Sequence, residues 1–255
     1  MSDLQTVAYA RKGLIGVLTP QANTTVEPEY SILCPAGYAF INARMTSTKA
    51  TIEERLIDYV DSIEDHIAQF ANAPIQVVAL ATTGASYLLG KSAEDEVIER
   101  VMKSQGLPLV TTGLAVCDAL EVLNARRVAL ISPYPPALTE ESVRYWQSRG
   151  LEVVRIVSAF EDNEGFHPIY ALAANVAGAG LPSVKNCGAE VVLMLGTGMP
   201  TLPAIATHTH WDGPPILSCM LALVWRSVMA SSGQKLTKSD LTDWIAARHW
   251  RPRIG

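Results

Sequence analysis

The stretches VVALATTGAS (77–86) and VVLMLGTGMP (191–200) are two versions of one pattern. Each is a near-continuous apolar run that stops abruptly in small residues. Aligning them pairs Thr82 with Gly196 and Thr83 with Thr197 at a common offset of 114. Short runs of Val, Ile and Leu of this kind fit strands buried on both faces, as parallel sheets require. A chain that carries such a strand twice is constrained to two similar halves.

The rest of the chain supports the duplication. In the first half, strand-like runs read GLIGVLTP (13–20), YAFINARM (38–45), IQVVALATT (75–83) and LPLVTTG (107–113). In the second they read RRVALISPY (126–134), LEVVRIVSAF (151–160), EVVLMLGTG (190–198) and PPILSC (214–219). Longer segments of helical period separate them. Leu56, Val60, Ile63, Ile67 and Phe70 recur every three or four residues, which predicts an amphipathic helix, with Thr51 and Glu54 as a capping box at its start. Strands alternating with helices make βαβ units, so the expected fold is α/β: two pseudo-symmetric doubly wound parallel-sheet domains. The expected division is 1–118, 119–220 and a C-terminal helical part, 221–255, packing back on the first half or on a partner protomer. In doubly wound units ligands bind beyond the carboxyl ends of the strands. If the halves face each other, Pro20, Asn23, Thr82, Thr83, Pro133, Tyr134 and Thr197 converge on one cleft.

Bulk properties narrow the partners. With 20 basic against 25 acidic residues and a net charge of −5, no basic field exists to hold nucleic acid. Every apolar run breaks within about ten residues, short of the roughly 20 needed to span a bilayer. No secretory signal is read at the start, and a cytoplasmic location is expected. The four cysteines, Cys34, Cys117, Cys187 and Cys219, are too dispersed for a disulfide framework or zinc ribbon.

The motifs TPQANTTVEPE, TTGAS, TTGLAVCDAL, SPY, GTGMPTL and PILSC, taken in order, resemble the aspartate/glutamate racemase superfamily, in its maleate isomerase and arylmalonate decarboxylase branch. The resemblance covers residues 13–235. It implies an active site between two α/β domains, no cofactor, carbon-acid chemistry on carboxylates and a homodimer. Such chemistry needs donors for the enediolate that forms when the carbon next to a carboxyl becomes a carbanion. By resemblance, Thr83 and Tyr134 contact the carboxylate, Asn23 binds substrate, backbone N–H groups of Thr197 and Gly198 complete the second side, and Asn163 is a polar substrate contact. The family's two cysteine positions fall on Thr82 and Gly196, so both thiols are replaced here. Thr82 is the candidate substitute for the first, and Tyr134 and Cys219 are the candidate acids.

These assignments point to a cofactor-independent isomerase or decarboxylase of small dicarboxylates. The alternatives are a non-catalytic carboxylate-binding or regulatory protein, and a hydratase or hydrolase using a bound water in the volume vacated at Gly196. Other residues read more plainly. Cys219 as a buried filler, Tyr134 as a packing aromatic and Asn163 as a turn residue are the structural alternatives. Glu27 is expected to favour the start of a helix. His208, His210 and Asp212 in THTHWD are expected to diverge on the surface rather than bind metal. His167 lies on a loop that could close over the cleft, although loop histidines are ordinarily solvated. The TTG at 111–113 lacks the companion pattern of a phosphate loop. Ser239 is expected to cap a terminal helix bearing an exposed Trp244.

Overall fold

The computed structural model describes residues 7–162 and 167–254. Among them, β1 (Gly13–Pro20), β2 (Tyr38–Met45), β3 (Val77–Leu80) and β4 (Leu109–Thr111) form one parallel sheet in the order β2-β1-β3-β4. A second, β5 (Arg127–Ser132), β6 (Glu152–Ser158), β7 (Val191–Met194) and β8 (Ile216–Ser218), repeats it as β6-β5-β7-β8. The starts of β1 and β5 (13 and 127), β2 and β6 (38 and 152), and β3 and β7 (77 and 191) all differ by the 114 residues read from the repeat. The fourth strands break this spacing.

The helices are α1 (Val26–Leu33), α2 (Ile52–Asp61), α3 (Ile63–Ala68), α4 (Thr83–Gln105), α5 (Thr112–Leu123), α6 (Pro136–Ser148), α7 (Val176–Ala179), α8 (Leu202–Thr207), α9 (Cys219–Ser232) and α10 (Lys238–Ile245). The capping box is present: Thr51 Oγ1 accepts from Glu54 N at 3.2 Å, and Glu54 Oε2 accepts from Thr51 N at 3.1 Å. The predicted helix over 56–70 is divided at Ser62, where ψ is 25° and the hydroxyl donates to Asp58 O at 2.6 Å. That bond competes with the helical ladder.

Alternation sorts the first sheet's side chains. Leu14, Leu18, Val78 and Leu80 join Leu56, Val60 and Ile63 of the helices on one face, while Ile15, Val17, Val77 and Ala79 face the other core. That second face is covered by α9, which follows the last strand of the other half and packs on β1, β3, α1 and α5. The exchange ties the halves together. Behind the strand ends, the buried Glu94 of α4 meets Arg149 after α6, and Tyr145 donates to Glu94 at 2.5 Å.

The terminal helix differs from expectation. Thr237, not Ser239, caps α10, accepting from Asp240 N at 3.2 Å. Trp244 is 4% exposed, because α10 lies on α5 and α9. Among the described residues, no helix is long and apolar enough to cross a membrane.

Candidate active site between the halves

The ends of β1, β3, β5 and β7 meet at a small cavity. Thr82, Thr83 and Gly84 from the first half face Tyr134, Thr197 and Gly198 from the second. Pro20 and Leu56 close one side, and the 3₁₀ turn Pro168–Ala171 closes the other with Ile169, Tyr170 and the preceding His167. The cavity volume is about 10 Å³. That is room for one water.

Each lining group is placed by local rules. Thr82 has extended backbone (φ −145°, ψ 117°) at the N-cap of α4, yet its side chain makes no capping bond. The first turn of α4 therefore opens toward the cavity with N–H groups that Thr82 does not cap and that have no partner among the described residues, a positive pole by geometry. Thr83, one residue later, is 1% exposed, and its Oγ1 has no hydrogen-bond partner. The Tyr134 phenol and Cys219 thiol are its neighbours, yet neither completes a well-formed bond. The N–H groups of Thr197 and Gly198 likewise form no hydrogen bond among the described residues. By contrast, Thr111 accepts from Leu114 N at 3.0 Å and caps α5, as Ser218 caps α9, so those helix starts are closed.

The two halves are stitched beside the cavity. Thr197 donates its hydroxyl to Ala81 O at 2.8 Å, and Thr25 donates to Gly198 O at 2.8 Å. Asn23 accepts from the N–H groups of Thr25 (2.8 Å) and Val26 (3.1 Å), and its amide reaches Thr197 Oγ1 at 3.5 Å. Asn23 thus shapes the loop and holds Thr197; it is not among the cavity's lining residues. Arg44 fastens the same loop by donating to Asn23 O at 2.7 Å and pairing with Glu27. Glu29, 4% exposed, accepts from Thr201 N (2.6 Å) and Leu202 N (3.1 Å) at the start of α8. Burial raises its pKa to about 7 against the lowering effect of those bonds. Neither Arg44 nor Glu29 was signalled in the sequence. A glutamate on a short helix reads as solvated, and its partner lies 172 residues away.

Gly196 has φ +85°, a left-handed conformation that glycine adopts at little cost. A Cβ there would lie 2.8 Å from Ile169 Cδ1 and 3.0 Å from the Tyr134 hydroxyl. The vacated volume is therefore filled by a phenol and an isoleucine.

The ionisable groups around the cavity are all held neutral. Burial raises the Tyr134 phenol well above its usual range and the Cys219 thiol to about 11. Cys219 is fully buried behind the wall, against Thr83, Tyr87 and the Gly196 backbone, and does not line the cavity. His167 is shifted the other way, to about 4, also by burial. His167 is half-buried, so the expectation of a solvated loop histidine is corrected in part. Asn163 lies outside the described residues. Among the described residues, no group of three or more His, Cys, Asp or Glu is placed to hold a metal ion. His208 is turned to Ala204 O (2.8 Å), and Asp212 pairs with Lys185.

Two duplicated α/β halves with hydrogen-bond donors converging between equivalent strand ends are the fold shared with maleate isomerase and arylmalonate decarboxylase structures. The family model for arylmalonate decarboxylase matches residues 15–240, and the chain belongs to that family. It is 28% identical over 233 residues to a maleate isomerase of Pseudomonas putida, covering 85% of this chain and 90% of that one. It is 25% identical over 228 residues to an arylmalonate decarboxylase of Bordetella bronchiseptica, covering 86% and 90%. Among solved structures, the maleate isomerase from Pseudomonas putida S16 with maleate superposes with a TM-score of 0.76 at 23% identity, covering 86% of this chain and 91% of that one. A Nocardia farcinica maleate cis-trans isomerase with a covalently bound succinylcysteine intermediate superposes at 0.75, with 23% identity and coverages of 87% and 93%.

Proposed function

We propose that this chain is a cofactor-independent enzyme acting on a small dicarboxylate or related carbon acid, by decarboxylation or proton transfer through an enediolate. The observation that carries the reading is the Thr83 hydroxyl. A buried hydroxyl without a partner costs free energy in the empty protein, and a ligand carboxylate would satisfy it. The open start of α4 and the free N–H groups of Thr197 and Gly198 supply further donors around one point, in a water-poor space where they act strongly.

In the decarboxylation we assign, the bond from the central carbon to one carboxylate breaks and carbon dioxide leaves. The bonding electron pair moves into the remaining carboxylate as an enediolate, held by Thr83, Thr197 and Gly198. A proton from Tyr134 then forms the new C–H bond, and solvent restores the phenol. Cys219, also held protonated, stands behind Thr83 and outside the cavity, so Tyr134 is the proposed acid. Thr82 stands at the first thiol position as a neutral donor to the carboxylate. The Nocardia farcinica relative was solved with a succinyl group on cysteine. Here no cysteine lines the cavity, which favours decarboxylation over an isomerisation that adds a thiolate to a double bond. Asn163 is retained as a proposed substrate contact, and a homodimer as the proposed assembly.

The small volume of the cavity favours a second reading, a carboxylate-binding protein without turnover. Thermal unfolding with malonate, phenylmalonate and maleate, followed by proton NMR in deuterium oxide, separates the two. Decarboxylation places solvent deuterium on the former dicarboxylate carbon. Stabilisation by these ligands with no deuterium entering and no product assigns the protein to binding alone.

A further inference from the structure

His167 belongs to two spaces at once. One is the cavity holding Thr83 and Tyr134; the other is an outer recess of about 200 Å³ lined by Gln21, Ala22, Ile52, Arg55, Tyr59 and Tyr170. The wall between them is His167 with Tyr170, whose rings meet edge-to-face with centroids 4.9 Å apart and planes at 87°. His167 begins the 3₁₀ turn that also carries Ile169 against Gly196. Neither nitrogen of its ring has a hydrogen-bond partner among the described residues. An imidazole with one nitrogen able to accept and the other able to donate suits transfer between two compartments.

We propose that His167 is the proton relay of this site, charging when a carboxylate binds and passing a solvent proton from the outer recess to the donor in the cavity. The inference rests on the carbon-acid reading above. That reaction consumes one proton per carbon dioxide released, and the inner donors Thr83, Tyr134 and Thr197 are themselves buried. Relay balances the account: His167 takes the proton at the recess, delivers it inward to the Tyr134 phenolate and returns neutral.

The surrounding charges fit a group that is neutral until a ligand arrives. Tyr170 on its own turn and Tyr134 at the end of β5 are phenols whose pKa values burial raises. From α2, Arg55 and Tyr59 line the recess. Glu161 and Asp162, earlier in the same connection, are exposed. Burial holds the empty-state imidazole near 4, so it is uncharged at neutral pH. An anion bound beside it raises that value, and each unit of rise is a tenfold coupling between proton and ligand.

The test uses the whole protein with malonate as the probe. The chain has five histidines, and their ring signals are followed by NMR in ¹⁵N-histidine-labelled protein between pH 5 and pH 8, with and without malonate. His167→Gln assigns the signal, and if that variant fails to fold, the wild-type ring that responds to malonate is assigned by its contacts to Tyr170. The expected result is a His167 ring that stays neutral throughout when empty and titrates within this range when malonate is bound. Malonate affinity should then rise roughly tenfold more between pH 8 and pH 6 in the wild type than in His167→Gln. With phenylmalonate, His167→Gln should lose turnover and regain part of it with imidazole in the buffer, which a merely structural histidine would not allow. Bound malonate with a silent His167 overturns the relay alone. Failure of wild type and variant alike to bind malonate overturns both the relay and the carbon-acid reading.

Discussion

Replacing Thr83 by Val keeps the shape of the side chain and removes its hydroxyl. In the empty protein that hydroxyl is 1% exposed with no partner. Leaving such a group unsatisfied costs about 1–3 kcal/mol. Thr83→Val should therefore stabilise the empty protein by about 1–2 kcal/mol, the lower part of that range, because the neighbouring Tyr134 and Cys219 offset some of the cost. For a chain of this size about 1 kcal/mol moves Tm by ~2–4 °C, so the variant should melt roughly 2–8 °C higher. The effect of ligand should go the other way. A hydrogen bond to a carboxylate is worth about 1.5–3 kcal/mol, so malonate should bind about 10- to 150-fold more weakly. Scanning calorimetry with and without malonate measures both. A variant that melts at or below the wild-type temperature and keeps its full response to malonate would refute the reasoning, since the hydroxyl would then be neither unsatisfied nor part of the site.

Glu29 contributes a pH dependence. Its pKa, raised to about 7 in the folded state, makes its contribution fully present below about 4.5 and lost as pH rises through 7. The wild type should lose about 3 kcal/mol across that window relative to Glu29→Gln. Urea unfolding of both proteins at pH 5 and pH 8 reads the difference, and equal slopes with pH would reject the assignment. Gly196→Cys should not restore thiol chemistry. The left-handed backbone and the overlap with Ile169 and Tyr134 together cost about 2–5 kcal/mol, so Tm should fall and maleate should remain unchanged by NMR. Tyr134→Phe should abolish turnover of phenylmalonate while leaving malonate binding within about tenfold. Because the phenol is held well above its usual pKa, wild-type activity should show no loss from Tyr134 ionisation up to pH 9.

Much of the architecture was legible because parallel strands declare themselves. β1 and β2 fall on the residues read from the apolar runs, and the 114-residue offset recurs in three strand pairs. The other runs were read too long at their ends. Thr82, Thr83 and Cys219, read as strand termini, are a helix cap or first-turn residues, because hydrophobicity does not mark where the chain leaves the sheet. The division at Ser62 was hidden for a related reason, since an unbroken three-four period is compatible with a kink. Convergence of Thr83, Tyr134 and Thr197 followed from topology alone. The filling of Gly196 by Ile169, the engagement of Asn23 with its own loop and the role of Glu29 did not. Each depends on contacts between residues that only the packed halves bring together.

Covering the first sheet with α9 has a consequence for how the molecule is made. A nascent chain that has released the first four strands still exposes Ile15, Val17, Val77 and Ala79 on one side, because the helix that shields them ends at Ser232. The amino-terminal half must wait for nearly the whole polypeptide to leave the ribosome before its hydrophobic side is closed. Shortening the protein before Cys219 would therefore damage the half farthest from the cut.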